Sequence, residues 1–192
     1  QEVVADWTWP GYENTHMDIE VYSNCSEVEL FQDGKSLGKK PSSRETEFIT
    51  RWTIPYQPGV LKAAGYEANA EIVSSILQTA GTPVKVRLTG DRQTLKADGQ
   101  DLSFITVEIL DENNLRNPKA TNLVQFQIQG QGSIIAVGSS NPFGLESFVQ
   151  PRRNAYQGRC LVIVRAAREA GNIVLSATSE GLQQDQVTLN IN

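Results

Sequence analysis

The sequence predicts an all-β protein built as two tandem immunoglobulin-like β-sandwich domains, residues 1–81 and 82–192. Three observations carry this expectation. Apolar residues recur with period two along most of the chain, which places them on one face of a strand. The runs are short and separated by clusters of Gly, Pro, Asn and Asp, and no window holds a helical stripe of useful length. Finally, composition shifts near residue 81: residues 1–81 hold six Lys and Arg against twelve Asp and Glu (net −6), all three Trp and four of the five Tyr, whereas residues 82–192 are close to neutral. With 192 residues, 39% hydrophobic and 20% charged, the chain can bury a core.

The elements follow in order. Met17, Ile19 and Val21 alternate with Asp18 and Glu20, and Val28 and Leu30 alternate with Glu27 and Glu29. Asp33-Gly34 then marks a hairpin, because a type I′ turn needs positive φ at both central residues and these two types tolerate it. Residues 35–39 form the returning strand. Phe48, Trp52 and Ile54 are expected to share an inward face, Pro55-Tyr56-Gln57-Pro58-Gly59 to turn, and residues 60–66 and 71–77 to complete the first sandwich. Thr79-Ala80-Gly81-Thr82-Pro83 has no apolar alternation and reads as the connection between domains. Beyond it come Val84, Val86 and Leu88; Ile105, Val107 and Ile109; and Val124, Phe126 and Ile128 interleaved with Gln125, Gln127 and Gln129. Strands at 159–166, 173–178 and 187–191 finish the second sandwich.

Several function classes are set aside by the residues themselves. A net charge of −5 and only paired basic residues, Lys39-Lys40 and Arg152-Arg153, argue against nucleic-acid binding. No run approaches the ~18 apolar residues of a membrane-spanning helix. The opening Gln1-Glu2-Val3-Val4-Ala5-Asp6 lacks an initiator Met, a basic n-region and an apolar h-region, so a mature or excised piece is expected. His16 is the single histidine, which leaves little room for a metal site or a Ser-His or Cys-His nucleophile. Cys25 and Cys160 fall in different domains and are expected as buried free thiols. Asn24-Cys25-Ser26 matches a glycosylation sequon, a short pattern that arises often by chance.

Carboxylate pairs are a second route to chemistry, since glycoside hydrolysis needs two carboxyl groups roughly 5 to 9.5 Å apart. Asp18 with Glu20, Glu27 with Glu29, and Glu45 with Glu47 each meet that spacing on a strand, at about 7 Å. A pattern met three times selects nothing, and the polar face of an alternating strand explains each pair. Gly130-Gln131-Gly132 begins like a dinucleotide fingerprint, but Ile135 stands at the third glycine's place and a strand follows. The oxygen-rich segments Asp98-Gly99-Gln100-Asp101-Leu102 and Ser139-Ser140-Asn141-Pro142 have the chemistry to hold calcium or a sugar, but turn formation explains them without a ligand. No catalytic residue, metal ligand or cofactor is therefore assigned. Aromatic side chains are the remaining candidates for sugar stacking: Trp7, Trp9, Tyr12, Tyr56 and Tyr156 where they face solvent, with Trp52 expected inside.

Long strings carry a resemblance. Trp7-Thr8-Trp9-Pro10-Gly11, Val28-Glu29-Leu30-Phe31-Gln32-Asp33-Gly34-Lys35-Ser36-Leu37-Gly38 and Trp52-Thr53-Ile54-Pro55-Tyr56-Gln57-Pro58-Gly59-Val60-Leu61-Lys62-Ala63 resemble the accessory domain that follows the catalytic barrel in glycoside hydrolase family 2 beta-galactosidases of the Bacteroides type. Thr79-Ala80-Gly81, the run from Leu95-Lys96-Ala97-Asp98-Gly99-Gln100-Asp101 through Glu108, and Gly158-Arg159-Cys160-Leu161-Val162-Ile163-Val164 resemble the C-terminal immunoglobulin-like domain of the same enzymes, with a weaker kinship to invasin-type adhesins. Asp33 replaces the family's usual Asn before the turn glycine, and Asn113-Asn114 lacks the glycine common in the second domain's turn.

The resemblance implies a noncatalytic C-terminal portion of a beta-galactosidase-like enzyme, whose catalytic glutamates lie in a barrel absent from this sequence, and hence no hydrolysis by this chain alone. It implies a periplasmic or extracellular bacterial setting and the parent's catalytic barrel as the partner. On that reading Trp7, Trp9 and Tyr12 are candidates for barrel or carbohydrate contact, since residues 7–12 precede the first strand and have no place in the sandwich pattern. Two alternatives stand beside it: a carbohydrate-binding module, which coplanar exposed aromatics favour, and an adhesin-like spacer, which a rigid end-to-end arrangement without an aromatic patch favours.

Overall fold

A computed structural model of the chain describes residues 3–192. Gln1 and Glu2, where the first expected domain opens, lie outside the described residues. The chain divides into two compact units, the first ending at Thr79 and the second beginning at Ala80. Both are all-β; the helical content among the described residues is one 3-10 turn, Arg44–Thr46. Among the described residues no helix is long and apolar enough to cross a membrane.

The first unit contains β1 (His16–Tyr22), β2 (Glu27–Gln32), β3 (Lys35–Pro41), β4 (Ile49–Pro55), β5 (Val60–Glu67) and β6 (Ala70–Gln78). A two-stranded sheet, β1-β4, faces a four-stranded sheet in the order β3-β2-β5-β6, and all pairings are antiparallel. The hairpin turn at Asp33-Gly34 has the two positive φ values, 50° and 79°, that a type I′ turn demands. Inward positions are those of the alternation: Val28 and Leu30 from β2, Trp52 and Ile54 from β4, and Leu61 from β5. Lys40 from the edge strand covers the Trp52 ring, its Nζ 4.9 Å from the centroid.

Phe48 departs from its expected place. It precedes β4, takes a φ of 59° in the turn that follows the 3-10 segment, and is exposed, so the inward face begins at Thr50 instead. The β6 strand forms at the expected residues, but as the sheet edge it leaves Ile72, Val73 and Ile76 exposed and sends only Leu77 toward the core.

The second unit contains β7 (Lys85–Gly90), β8 (Thr94–Leu95), β9 (Leu102–Leu110), β10 (Leu123–Gly130), β11 (Gly132–Gly138), β12 (Arg152–Asn154), β13 (Arg159–Ala166), β14 (Gly171–Thr178) and β15 (Asp185–Ile191). One sheet has the order β12-β10-β14-β15-β8 and the other β11-β13-β9-β7. Consecutive strands β9, β10 and β11 alternate between sheets, which makes the pair a sandwich rather than a meander. The inner faces meet in a core that includes Ile105, Val107, Val124, Val162, Val164, Ile173, Leu175 and Leu189. Each such side chain contributes roughly 1.5–3 kcal/mol by leaving water. Val84, expected to begin the inward face of the first strand, lies one residue before β7 and is exposed; the face starts at Val86. The dinucleotide-like glycines receive a structural explanation. Gly130 has a φ of 95° in the β10-β11 turn, and a Cβ there would collide with the Asn172 carbonyl.

Candidate functional site

Residues 7–12 enter the first unit ahead of β1 and fasten themselves to it. Trp7 is 2% exposed and belongs to that unit's own core. Its Nε1 donates to the Gln57 carbonyl at 3.1 Å, and its ring meets Tyr56 edge-on, with centroids 5.0 Å apart at 73°. The buried Tyr56 hydroxyl accepts from the Trp9 N–H at 3.1 Å and donates to the Trp7 carbonyl at 3.4 Å, while the Thr79 hydroxyl also donates to that carbonyl. Trp7 and Tyr56 are thus structural, and neither offers its ring to a ligand or a barrel. The sequence pattern missed this because Trp7 sits outside every alternating run.

Trp9 and Tyr12 remain toward solvent. Trp9 is half-buried, its Nε1 donating to the Asp6 carbonyl at 3.2 Å, and Tyr12 is 53% exposed. Their rings lie 6.3 Å apart at 80°. Edge-to-face rings do not make the flat, coplanar platform on which successive sugar rings stack. Tyr156, in the second unit, is half-buried. The three candidates of the segment therefore separate into one core residue, Trp7, and one small surface cluster, Trp9 and Tyr12.

The paired carboxylates of β1 and β2 are held in local networks, whereas Glu45 and Glu47 lie not on a strand but in and just after the 3-10 turn. Glu20 accepts from the Tyr22 hydroxyl at 2.6 Å and from Arg51 Nε at 2.9 Å; the Tyr22 bond first, then the Arg51 bond, holds its carboxyl below the ordinary value. Asp18 accepts from Thr53, Glu29 from Ser36, and Glu27 lies 3.6 Å from Lys39. A general acid needs a raised pKa, and the surroundings of Glu20 act in the opposite direction. Among the described residues no three His, Cys, Asp or Glu side chains gather as a metal-binding group.

The oxygen-rich turns are closed by their own chain. Asp98 accepts from the N–H groups of Gln100 and Asp101, both at 2.8 Å, and Asp101 accepts from Lys96 N–H at 2.9 Å. Asn141 accepts from the Phe143 N–H at 3.0 Å. Asn114 takes a φ of 65°, a left-handed conformation that asparagine tolerates better than most residues. Both cysteines are free and buried, and burial pushes the Cys160 thiol up to about 12.

Sequence patterns gave no sign of the most developed charged group, on the outer face of the β7-β9-β13 sheet. Glu108 is nearly buried between two arginines, with Arg159 Nη2 at 2.8 Å and Arg87 Nη2 on its other oxygen. Burial pushes its carboxyl up, but the hydrogen bonds from Arg87 and Arg159 outweigh burial and leave it below the ordinary value. Direct pairing across neighbouring strands, Arg87 and Arg159 both opposite Glu108, explains the group as sheet cross-linking. Its members cannot be found from spacing because the three residues lie far apart in the chain.

Comparison with known proteins settles the kinship. Residues 86–188 match Glycoside hydrolase family 2 C-terminal domain 5, and residues 14–73 match a domain family of unknown function, DUF4982. The chain belongs to the glycoside hydrolase family 2 C-terminal domain 5 family. It is 42% identical over 180 residues to a beta-galactosidase of Bacteroides ovatus, covering 93% of this chain and 21% of that protein. A beta-glucuronidase of Formosa agariphila is 29% identical over 190 residues, covering 97% of this chain and 19% of the relative. Among solved structures, a glycosyl hydrolase family 2 member from Bacteroides cellulosilyticus superimposes with a TM-score of 0.96 at 40% identity, over 98% of this chain and 24% of that one. The chain thus spans about a fifth to a quarter of the length of these relatives and aligns with their C-terminal portion.

Proposed function

We propose that the chain is the noncatalytic accessory portion of a beta-galactosidase-like glycoside hydrolase, acting as a scaffold that packs against the catalytic barrel of its parent polypeptide. The observation that carries this is the alignment of nearly the whole chain with a small part of the Bacteroides ovatus enzyme. The site geometry supports it: Asp18, Glu20, Glu27 and Glu29 are engaged in strand-face networks, and one of them, Glu20, is held below its ordinary value. Hydrolysis of beta-galactosides is proposed for the parent enzyme alone, and the same proposal places that enzyme in the periplasm or outside the cell.

Assaying the chain and the full-length polypeptide side by side on chromogenic galactosides and glucuronides tests this reading. Turnover is expected from the full-length polypeptide only, with the galactoside preferred. Turnover by the chain alone that disappears in Glu27→Gln or Glu29→Gln overturns it.

A further inference from the structure

Between β11 and β12, residues 139–151 carry the most exposed apolar side chains of the second unit: Phe143 at 88%, Leu145 at 101%, Phe148 at 60% and Val149 at 80%. Four large apolar groups in one short loop exceed what a soluble surface ordinarily leaves uncovered. The loop is also built on a buried anchor. The Arg153 side chain, 1% exposed, donates from Nε to Ser139 Oγ at 3.2 Å and from Nη1 to the Glu146 carbonyl at 3.0 Å, and its guanidinium lies 5.0 Å from the Phe148 ring centroid. Glu146 lies 3.6 Å from Arg153 and accepts from the backbone and side-chain N–H groups of Asn154 at 3.1 and 2.9 Å. The loop's return is tied to both sheets, with Val137 N–H donating to the Phe148 carbonyl and Phe126 N–H to that of Pro151, each at 2.8 Å.

A buried arginine that ties the loop's start and its middle to β12 fixes the frame on which the apolar residues are presented, so their burial against a partner costs little further ordering. The mix of rings with Leu and Val fits a protein surface, since the aliphatic groups have no flat face for a sugar and the two Phe rings have no polar edge.

We infer that residues 139–151 are a docking element, and that its occupant is the part of the parent polypeptide preceding this chain. This rests on the function proposed above. The chain covers only 21% of the Bacteroides ovatus enzyme and 24% of the Bacteroides cellulosilyticus structure, so most of the polypeptide in such enzymes lies outside it and is tethered to it at high effective concentration. An apolar partner on the same polypeptide needs no self-association to cover the loop.

The test uses the full-length polypeptide with Leu145 replaced by the photo-crosslinker p-benzoylphenylalanine. Irradiation is expected to join position 145, within one polypeptide, to peptides that precede this chain. Crosslinks between two copies, crosslinks confined to this chain, or none at all overturn the inference. A second variant, Phe143→Ser with Leu145→Ser, is expected to shorten the half-life of full-length activity at elevated temperature at least tenfold while initial kcat and KM stay unchanged; an unchanged half-life overturns it. If the full-length polypeptide lacks glycosidase activity, the functional reading fails, and the crosslink map still decides the docking.

Discussion

Trp7 and Tyr12 belong to one short segment, yet the energies they carry differ by an order of magnitude. Trp7 fills the first unit's core, with its indole N–H donating to the Gln57 carbonyl and its ring against Tyr56, so Trp7→Ala is expected to cost about 3–5 kcal/mol and to collapse that unit. Tyr12 touches Trp9 at the surface, and Tyr12→Ala should stay within about 0.5 kcal/mol. Urea denaturation followed by fluorescence separates the two; equal effects would contradict the placement of the Trp7 ring. Glu108 makes a prediction in pH. Its folded-state pKa is depressed, so the unfolded chain binds the proton more readily. The stability it contributes is therefore present above the unfolded value, about 4.3, and is lost as pH falls through the lower folded value. Glu108→Gln should cost about 1–2 kcal/mol at neutral pH, with the gap from the parent chain narrowing on acidification. A gap that does not change between neutral pH and pH ~3 would assign the loss to packing.

At the scale of elements, the buried Asp111 organises the stretch around the start of the second unit. Its Oδ1 accepts from the N–H groups of Asn113 and Leu115 at 2.9 and 2.8 Å, its Oδ2 accepts from Gly81 N–H at 2.7 Å, and Asn117 Nδ2 donates to the Gly81 carbonyl at 2.8 Å. Removing one carboxylate orphans three donors, so Asp111→Ala should destabilise the second unit by about 2–4 kcal/mol, read as a lowered thermal transition of that unit. An unchanged transition would mean that water replaces these bonds at no cost. Such a group is illegible in sequence, since nothing in Leu110-Asp111-Glu112 marks a carboxylate that folds back on its own loop. Strands with alternation, such as β2, β10 and β15, were legible because burial on one face writes itself into every second residue. By contrast β8 and β12, two and three residues long, leave no period to read. Phe48 and Val84 show the limit of the pattern at its ends: each continues the apolar spacing by one step, but lies just before its strand with its side chain exposed. In the candidate site, the aromatic composition of residues 7–12 was legible, whereas the separation of Trp7 from Trp9 and Tyr12 depends on Gln57, Tyr56 and Thr79, which only folding brings to them.

For the whole molecule, each unit has its own core, and the acidic excess of residues 1–81 against the near neutrality of the rest follows the same division. Thr79 N–H donates to the Gly59 carbonyl at 2.9 Å and its hydroxyl accepts from Gly59 N–H at 3.1 Å, while Ala80 is buried and Gly81 is held by Asp111 and Asn117. Protease cleavage requires a segment to leave its hydrogen bonds and enter the enzyme's cleft, and it is fastest where backbone and side chains are already accessible. That condition is met at Phe143 and Leu145, not at Thr79 and Ala80. Proteinase K, which cuts with little side-chain preference, should therefore make its first cut within 143–149, leaving the junction intact until later. Arg153→Ala, which removes the anchor beneath the loop, should accelerate that first cut several-fold without changing the rate at the junction. A first cut between residues 79 and 83 would instead show that the clamps on Thr79 and Gly81 open more readily than the loop, and that the link between the units is the most mobile part of the chain.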